Sequence, residues 1–509
     1  VTERRSVTAV CALVAALQLV GIHRPFLRHH ESGGTQYGKH ARNHLKFGLG
    51  TTHGIMLDVS GPRLDFYDDW RNYTYPDHPP LPALLLAAAY AVFGVHEAVL
   101  RALLMTFSVA AVLLFWRIAR RRLERPWSDA AVAAFGLNPM FVYFSVVTVH
   151  QVNTLCGILA ALLFYLRWRE TGRRREYAGL VASIVFAGLC DWPGYYAAPA
   201  IVVAHLFSTR EKRLPVLALI GVSVALFGLY LLWLSSIGGD AVERLLRVGA
   251  ARSAVEMPPV HRYLAVELRE VALYFTVALG LLALPGLWVR RRDPFLWSLL
   301  VLAADEVAFA RISADHDYYA YYLGPFLALA GAEGLRLAAG RTRPLAWGAA
   351  VLFLAQSAWI LSNRLTREGG YEFYHRLAGA IAEATRPEDK VLILTADIRF
   401  FTPYYADRYA VWHNPKEGEL QVENSGGRRK GVGEEDVERL LRGGGLDVAV
   451  TAEKTLTVPE VPWLQGLSDE QLRAFGVETA PSPRRRLLEG LCGPPRVVRG
   501  FLFWDLRRP

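Results

Sequence analysis

Cysteine is scarce in this chain of 509 residues, with four in all. Cys11, Cys156 and Cys190 fall in or at the ends of apolar segments, and Cys492 stands alone near the C-terminus. Neither a disulfide framework nor a zinc-finger spacing follows. Charge is sparse as well: 20% of residues are Asp, Glu, Lys or Arg, against 52% hydrophobic, and mean hydropathy is positive at +0.20. A water-soluble chain of this length needs more charge to cover its surface. No Walker loop, His-Glu-x-x-His pair or Ser-His-Asp order occurs, which leaves ATPase, zinc-protease and hydrolase readings without support. The formal charge of +10 is no nucleic-acid footprint, because the arginines sit in short clusters between apolar runs.

Long apolar runs are what the chain does have. Crossing a bilayer core takes about 20 mostly apolar residues. Such runs lie near 7–24, 98–117, 129–149, 153–168, 177–190, 193–208, 214–236, 270–289, 294–311, 318–336 and 344–362. The first might be taken for a signal peptide, but it lacks a small-residue cleavage site and is read as an uncleaved helix. With the N-terminus in the cytoplasm, the basic loops Arg117–Arg125, Arg167–Arg175, Arg210–Arg213, Arg290–Arg292 and Arg336–Arg343 all fall inside. The turns around His150, Asp191 and His316, nearly free of Lys and Arg, fall outside, as the positive-inside rule requires. About eleven transmembrane helices result, and Pro79 to Phe93 must then lie at the outer interface, because counting it would invert every later loop.

The fold class expected is therefore an α-helical polytopic membrane bundle over 1–363, followed by a small soluble α/β domain over 364–509 on the extracytoplasmic side. Strand-like runs at Val391–Thr395, Asp447–Thr451 and Phe501–Trp504, with a helical pattern at Glu434–Leu441, support the second unit. Its glycines, Gly426, Gly427, Gly431, Gly433 and Gly443 to Gly445, follow no strand-to-helix pattern and are read as loops.

Polar residues concentrate in the external segments. The first, long loop (25–97) carries His29, His30, Glu31, Tyr37, Arg42, Asn43, Asp65, Asp68, Asp69, Asp77 and His78; later turns carry Asp191-Trp192-Pro193 and Asp315-His316-Asp317-Tyr318-Tyr319. Long loops in compact proteins are usually functional. Two patterns here resemble a known family. Tyr37, Ala41-Arg42-Asn43 and Gly48, then Asp77-His78-Pro79-Pro80-Leu81, Phe93-Gly94 and Arg101, are similar to the first external loop of type C membrane glycosyltransferases that use a polyprenyl-phosphate-sugar donor, such as the protein O-mannosyltransferases and the aminoarabinose transferases. His316-Asp317-Tyr318-Tyr319 with Pro325 is similar to a His/Tyr motif those enzymes carry in a later external loop.

What the resemblance implies is inverting transfer of one sugar from a polyprenyl-phosphate carrier to an acceptor hydroxyl of a glycan, lipid or protein, on the extracytoplasmic face of the plasma membrane. Such a reaction needs a carboxylate to take the acceptor proton and cationic groups or a divalent metal ion opposite the departing phosphate. Glu31 is expected as the catalytic base, although Gly34 stands where the family often has its acid, three residues before the Tyr. Asp191 is the second catalytic candidate, because the turn reading His150-Gln151-Val152-Asn153 lacks the carboxylate the family usually has there. Tyr37, Arg42, Asn43, Gln151, Asn153 and Trp192 are expected to line the substrate. His78, Arg311, His316, Tyr318 and Tyr319 are expected at the phosphate, and Asp77 as a metal ligand.

Each assignment has a plainer rival. Asp77 suits a helix cap before the two prolines, Asp191 suits a turn before Pro193, and Tyr318 to Tyr322 suit an interfacial aromatic belt. Asp305 and Glu306 lie within a span, facing a cavity or pairing with Arg311. A lipid-linked sugar transporter or flippase, or a polysaccharide polymerase or ligase, would use a similar scaffold. A transporter would place its charges near the midplane on broken helices, whereas here they lie in external loops.

Overall fold

The computed structural model describes residues 2–507 except 68, 254–258, 305–315, 368, 396–400, 415–418, 423–425, 430–440, 443–445, 454–456, 458–464, 466, 475–476 and 480–482. The chain starts with α1 (Thr2–Gln18), then α2 (Ser32–Phe47) and α3 (Leu81–Phe93) within the first long loop. The bundle continues through α4 (Glu97–Arg122), α5 (Gln151–Thr171), α6 (Arg174–Cys190) and α7 (Arg213–Ile237). After α8 (Ala241–Ser253), the segment Val260–Val289 runs as α9 (Val260–Glu270), a π-helical turn (Val271–Thr276) and α10 (Val277–Val289). The bundle closes with α11 (Gly324–Arg341) and α12 (Arg343–Thr366).

Among the described residues five helices are long and apolar enough to cross a membrane: Glu97–Arg122, Gln151–Thr171, Arg213–Ile237, Val260–Val289 and Arg343–Thr366. Several other apolar runs are broken. The run near 129–149 divides into Trp127–Gly136 and Pro139–Phe144, and the one near 193–208 opens as a 3-10 turn, Trp192–Tyr196. Pro139, Pro193, Pro294 and Pro325 each stand in the first turn of a new helical piece, where the missing N–H costs nothing. Hydropathy measures apolar length, while proline decides continuity.

The bundle is turned inside out relative to a soluble protein. α7 and α12 expose Leu217, Val224, Leu229, Leu232, Trp347, Val351 and Trp359, whereas α5 is mostly buried at the centre. Such apolar outer faces need hydrocarbon around them. At one end of the bundle the arginine loops meet: Arg122 pairs with Asp293 at 2.7 Å, and Arg290 and Arg336 both reach Glu333. α5 has Arg167 and Arg169 near this end and His150 at its other end, about 30 Å away by helix rise.

A mixed sheet follows α13 (Glu372–Ala384). Its strands are β1 (Lys390–Ile393), β2 (Tyr409–Asn414), β3 (Glu419–Val422), β4 (Gly426–Arg429), β5 (Val448–Glu453), β6 (Val477–Glu478), β7 (Arg496–Val498) and β8 (Phe501–Asp505). The order is β4-β3-β2-β1-β5-β8-β7, with β6 beside β5; β2, β1 and β5 are parallel and the outer pairs antiparallel. Alternation explains the layers: Val391, Ile393, Val450, Phe501 and Phe503 face the Phe373 and Leu377 side of α13, while Leu392, Ala449, Leu502 and Trp504 face Leu488 and Leu446. Gly426 and Gly427, expected in a loop, open β4, because an edge strand needs only backbone pairing with β3. The helical pattern before Leu441, and Gly431, Gly433 and Gly443 to Gly445, lie outside the described residues.

The first loop joins the two units. Arg42 on α2 donates to the carbonyls of Pro403 and Tyr404, both at 2.7 Å, and to Asp407 at 2.9 Å; Lys46 adds contacts to Asp407 at 2.7 and 2.9 Å. Gly38 lies so close to the Tyr404 ring that a Cβ there would fall 2.6 Å from Cε2.

Candidate active site

Three polar constellations occupy the end of the bundle beneath the sheet. The first centres on Asp191, which stands between the end of α6 and the 3-10 turn Trp192–Tyr196. His78 Nδ1 lies 2.7 Å from one carboxylate oxygen and His150 Nε2 3.5 Å from the other. All three donor atoms lie within 4.8 Å of one another. Burial opposes ionisation of Asp191, but His150 and His78 outweigh it and hold the carboxyl below its usual range. The rings form a ladder: His40 on Tyr75 at 5.1 Å, Tyr75 to His78 at 6.0 Å, His78 on His150 at 4.7 Å, and His150 to Tyr37 at 5.4 Å. The buried Tyr37 hydroxyl has no hydrogen-bond partner among the described residues, and burial pushes its pKa up.

A charged network flanks this ladder. Lys39 Nζ donates to Asp58 at 2.7 Å, both fully buried; His40 Nε2 is 3.5 Å from Asp58, and Arg244 lies 3.9 Å from both Asp58 and Asp77. Burial would raise the Asp58 pKa, yet Lys39, His40 and Arg244 bring it to about 2. Burial drives His40 down to about 3, so it is neutral near pH 7. Asp58, Lys39, His40 and Arg244 stood out from no sequence motif; the one available hint was an unusual density of charge in a loop.

The second constellation joins the start of the first loop to the segment before α11. His29 Nε2 and His30 Nε2 lie 3.1 and 2.8 Å from the two oxygens of Asp317, and the Tyr274 hydroxyl also donates to that carboxylate. His316, Tyr318 and Tyr319 gather here: Tyr318 meets His30 at 5.0 Å and His316 at 5.4 Å, and stacks on Tyr319 at 5.4 Å. Gln151 bridges toward the first constellation, donating to the Tyr318 carbonyl at 3.1 Å.

The third contains Glu31, which is fully buried. One oxygen accepts from Arg28 Nε at 3.0 Å and Arg101 Nη2 at 2.8 Å, the other from the Arg28 backbone N–H at 2.8 Å. Arg101, equally buried, also donates to the carbonyls of Ile22 and Arg24. Both Glu31 oxygens are thus occupied by groups that tie the loop to α4, an arrangement that leaves neither open to a substrate hydroxyl.

Other expected site residues are dispersed. Asp77, expected to hold a metal, directs its carboxylate toward Arg244, while its carbonyl accepts from Trp192 Nε1 at 2.6 Å. His78, expected at a phosphate, is hydrogen-bonded through Nδ1 to Asp191. Asn43 clasps the Leu57 and Val59 carbonyls at 3.0 and 2.8 Å, and Arg42 binds the sheet unit. Asn153 is buried in the first turn of α5, with no hydrogen bond to either amide atom among the described residues. Arg311, Asp305 and Glu306 lie outside the described residues.

The family model for dolichyl-phosphate-mannose-protein mannosyltransferases matches residues 77–233, the stretch holding His78, His150 and Asp191. No curated protein sequence matches the chain. Among solved structures, ArnT from Cupriavidus metallidurans in the apo state superposes with a TM-score of 0.63 at 14% identity, covering 100% of both chains. The same protein bound to undecaprenyl phosphate gives 0.61 at 14% identity over 99% of each. The archaeal oligosaccharyltransferase AglB from Archaeoglobus fulgidus, in complex with an inhibitory peptide and a dolichol-phosphate, gives 0.56 at 14% identity over 88% of this chain and 69% of that one.

Proposed function

On the type C glycosyltransferase fold that this chain shares with ArnT and AglB, we propose that it is an inverting membrane glycosyltransferase. It moves a single sugar from a polyprenyl-phosphate carrier to an acceptor hydroxyl on the extracytoplasmic face. The observation that carries this reading is the Asp191 cluster: a buried carboxylate with two imidazoles, at the bundle end covered by the first loop. That ArnT has been solved with undecaprenyl phosphate and AglB with a dolichol-phosphate supports a lipid-phosphate donor.

In this reading Asp191 orients His78 through its Nδ1, and the opposite ring nitrogen takes the proton of the acceptor hydroxyl as the hydroxyl oxygen attacks the sugar carbon and the bond from that carbon to the phosphate oxygen breaks on the opposite face. His150, stacked on His78 and 3.5 Å from the other Asp191 oxygen, holds the His78 ring in place. Tyr37 offers an unsatisfied hydroxyl to the sugar, and His316, Tyr318 and Tyr319, gathered beside His30, offer imidazole and hydroxyl groups to the phosphate. Glu31 holds the loop against α4 in this scheme rather than acting as base. The donors His78, His150 and Asp191 also fit a divalent ion, better than Asp77 does. Such an ion would supply positive charge opposite the leaving phosphate.

Eleven crossings, a cytoplasmic N-terminus and an extracytoplasmic unit over 364–509 complete the proposal. The meeting of Arg122, Arg290 and Arg336 at one end, with the site and sheet at the other, agrees with it. The test is transfer by the purified chain in detergent from undecaprenyl-phosphate-linked sugars to a panel of glycan, lipid and peptide acceptors, with the anomer read by NMR. Retention of configuration, or transport of the donor into vesicles without transfer, would overturn the reading.

A further inference from the structure

Adjacent residues in an extended chain point to opposite sides. His29 and His30 do not: His30 stands in the left-handed region at φ 61°, and the turn brings both imidazoles to one side with ring centres 3.9 Å apart. Both Nε2 atoms then meet the single carboxylate of Asp317, 288 positions from His29 along the chain. The three donor atoms lie within 4.8 Å of one another. Hydrogen bonding does not account for the whole arrangement. Asp317 Oδ1 is buried and has no hydrogen-bond partner among the described residues, although His30 Nε2 lies only 2.8 Å away. The Asp191 cluster differs, since His78 there makes a directed bond at 2.7 Å.

The rest of the carboxylate is held as a metal ligand's would be. The Tyr274 hydroxyl donates to Oδ2 and in turn accepts from Arg364 on α12, fixing the orientation from behind. Tyr274 sits in the π-helical turn Val271–Thr276, a distortion common at functional positions. Donor separations of 2.8 and 3.1 Å fall slightly below the edge of about 3.3 Å that zinc-nitrogen bonds near 2.0 Å give in a tetrahedron. His29 is partly open to solvent, so an ion has an entry path and a fourth position for water or an anion.

We propose that His29, His30 and Asp317 form a binding site for a divalent transition-metal ion, best matched to Zn2+, that clamps the start of the first external loop to the segment preceding α11. Two imidazoles and one carboxylate are a borderline N/O set that favours zinc over magnesium or calcium. The site is separate from the Asp191 cluster and does not depend on the function proposed above. It also gives a reason for a histidine in the left-handed region at position 30.

The test is zinc stoichiometry by equilibrium dialysis and elemental analysis of the full chain in detergent, stripped with chelator and reloaded with ZnCl2 alone. Wild type is compared with H29A/H30A, D317N and H78A/H150A. The expected result is one equivalent of zinc kept by H78A/H150A and lost, with at least a tenfold fall in affinity, in both H29A/H30A and D317N. The rise in Tm that zinc brings to H78A/H150A should vanish when either H29A/H30A or D317N is added to that variant. Unchanged binding in H29A/H30A and D317N, or no bound zinc in H78A/H150A, would overturn the site. If the first two variants fail to fold, retention or loss of zinc in H78A/H150A decides alone, because that chain keeps all three proposed ligands.

Discussion

Asp191 and Glu31 show how their partners separate two buried carboxylates with similar sequence credentials. Asp191 faces the imidazoles of His78 and His150, whereas Glu31 has both oxygens filled by Arg28 and Arg101. D191N is expected to lower transfer by at least about 100-fold with folding intact, measured as product formed per folded molecule. E31Q is expected to lower stability by about 3 kcal/mol, since it removes the one negative charge set against the buried guanidinium groups of Arg28 and Arg101, while turnover of the folded fraction stays within a few-fold of wild type. Denaturation and transfer assays on one preparation check both; a dead but fully stable E31Q would return the base to Glu31. Lys39 and Asp58 set a further residue-scale expectation. The folded-state pKa of Asp58, about 2, lies below its ordinary 3.8, so its contribution to stability is complete above about pH 4 and lost as pH falls toward 2. K39M, which strands that carboxylate, should cost about 3 kcal/mol near pH 7 and flatten the loss of stability below pH 4.

At the scale of elements, the first loop owes its shape to anchors at its edges. α2 is fastened to the sheet unit through Arg42, Lys46 and Asp407, and its Gly38 admits the Tyr404 ring. G38A should force that ring away, costing about 1–3 kcal/mol, and D407A should loosen the same contact. Limited proteolysis between 366 and 372 should accelerate in both, and unchanged cleavage would mean the two units are held elsewhere. The broken helices carry a related lesson. Hydropathy located the apolar runs near 129–149, 193–208 and 318–336, but Pro139, Pro193 and Pro325 begin new pieces within or beside them. Gly426 and Gly427 were unreadable as strand because an edge strand is specified by its partner's backbone and not by its own side chains.

For the whole molecule, the expected orientation places the arginine loops inside and the sheet outside. In a cysteine-free background, R173C should resist a membrane-impermeant maleimide in intact cells and react after lysis, while E388C should react in both; the reverse pattern would invert the topology. The sequence determined by itself that the chain lives in a membrane, because 52% hydrophobic residues in long runs leave no soluble alternative. The spacing of arginines likewise marked which loops share a side, and the gathering of Arg122, Arg290 and Arg336 agrees. Continuous apolar runs marked β1, β5 and β8, since a strand buried on both faces must supply apolar side chains to each. Only the tertiary structure decided which polar residues meet. His78, His150 and Asp191 come from three separate segments, as do the His29-His30 pair, Asp317 and Tyr274. Charges in a dry, packed end of a bundle are paired by packing across the chain, so proximity in sequence, which favoured Glu31 and Asp77, could not reveal their partners.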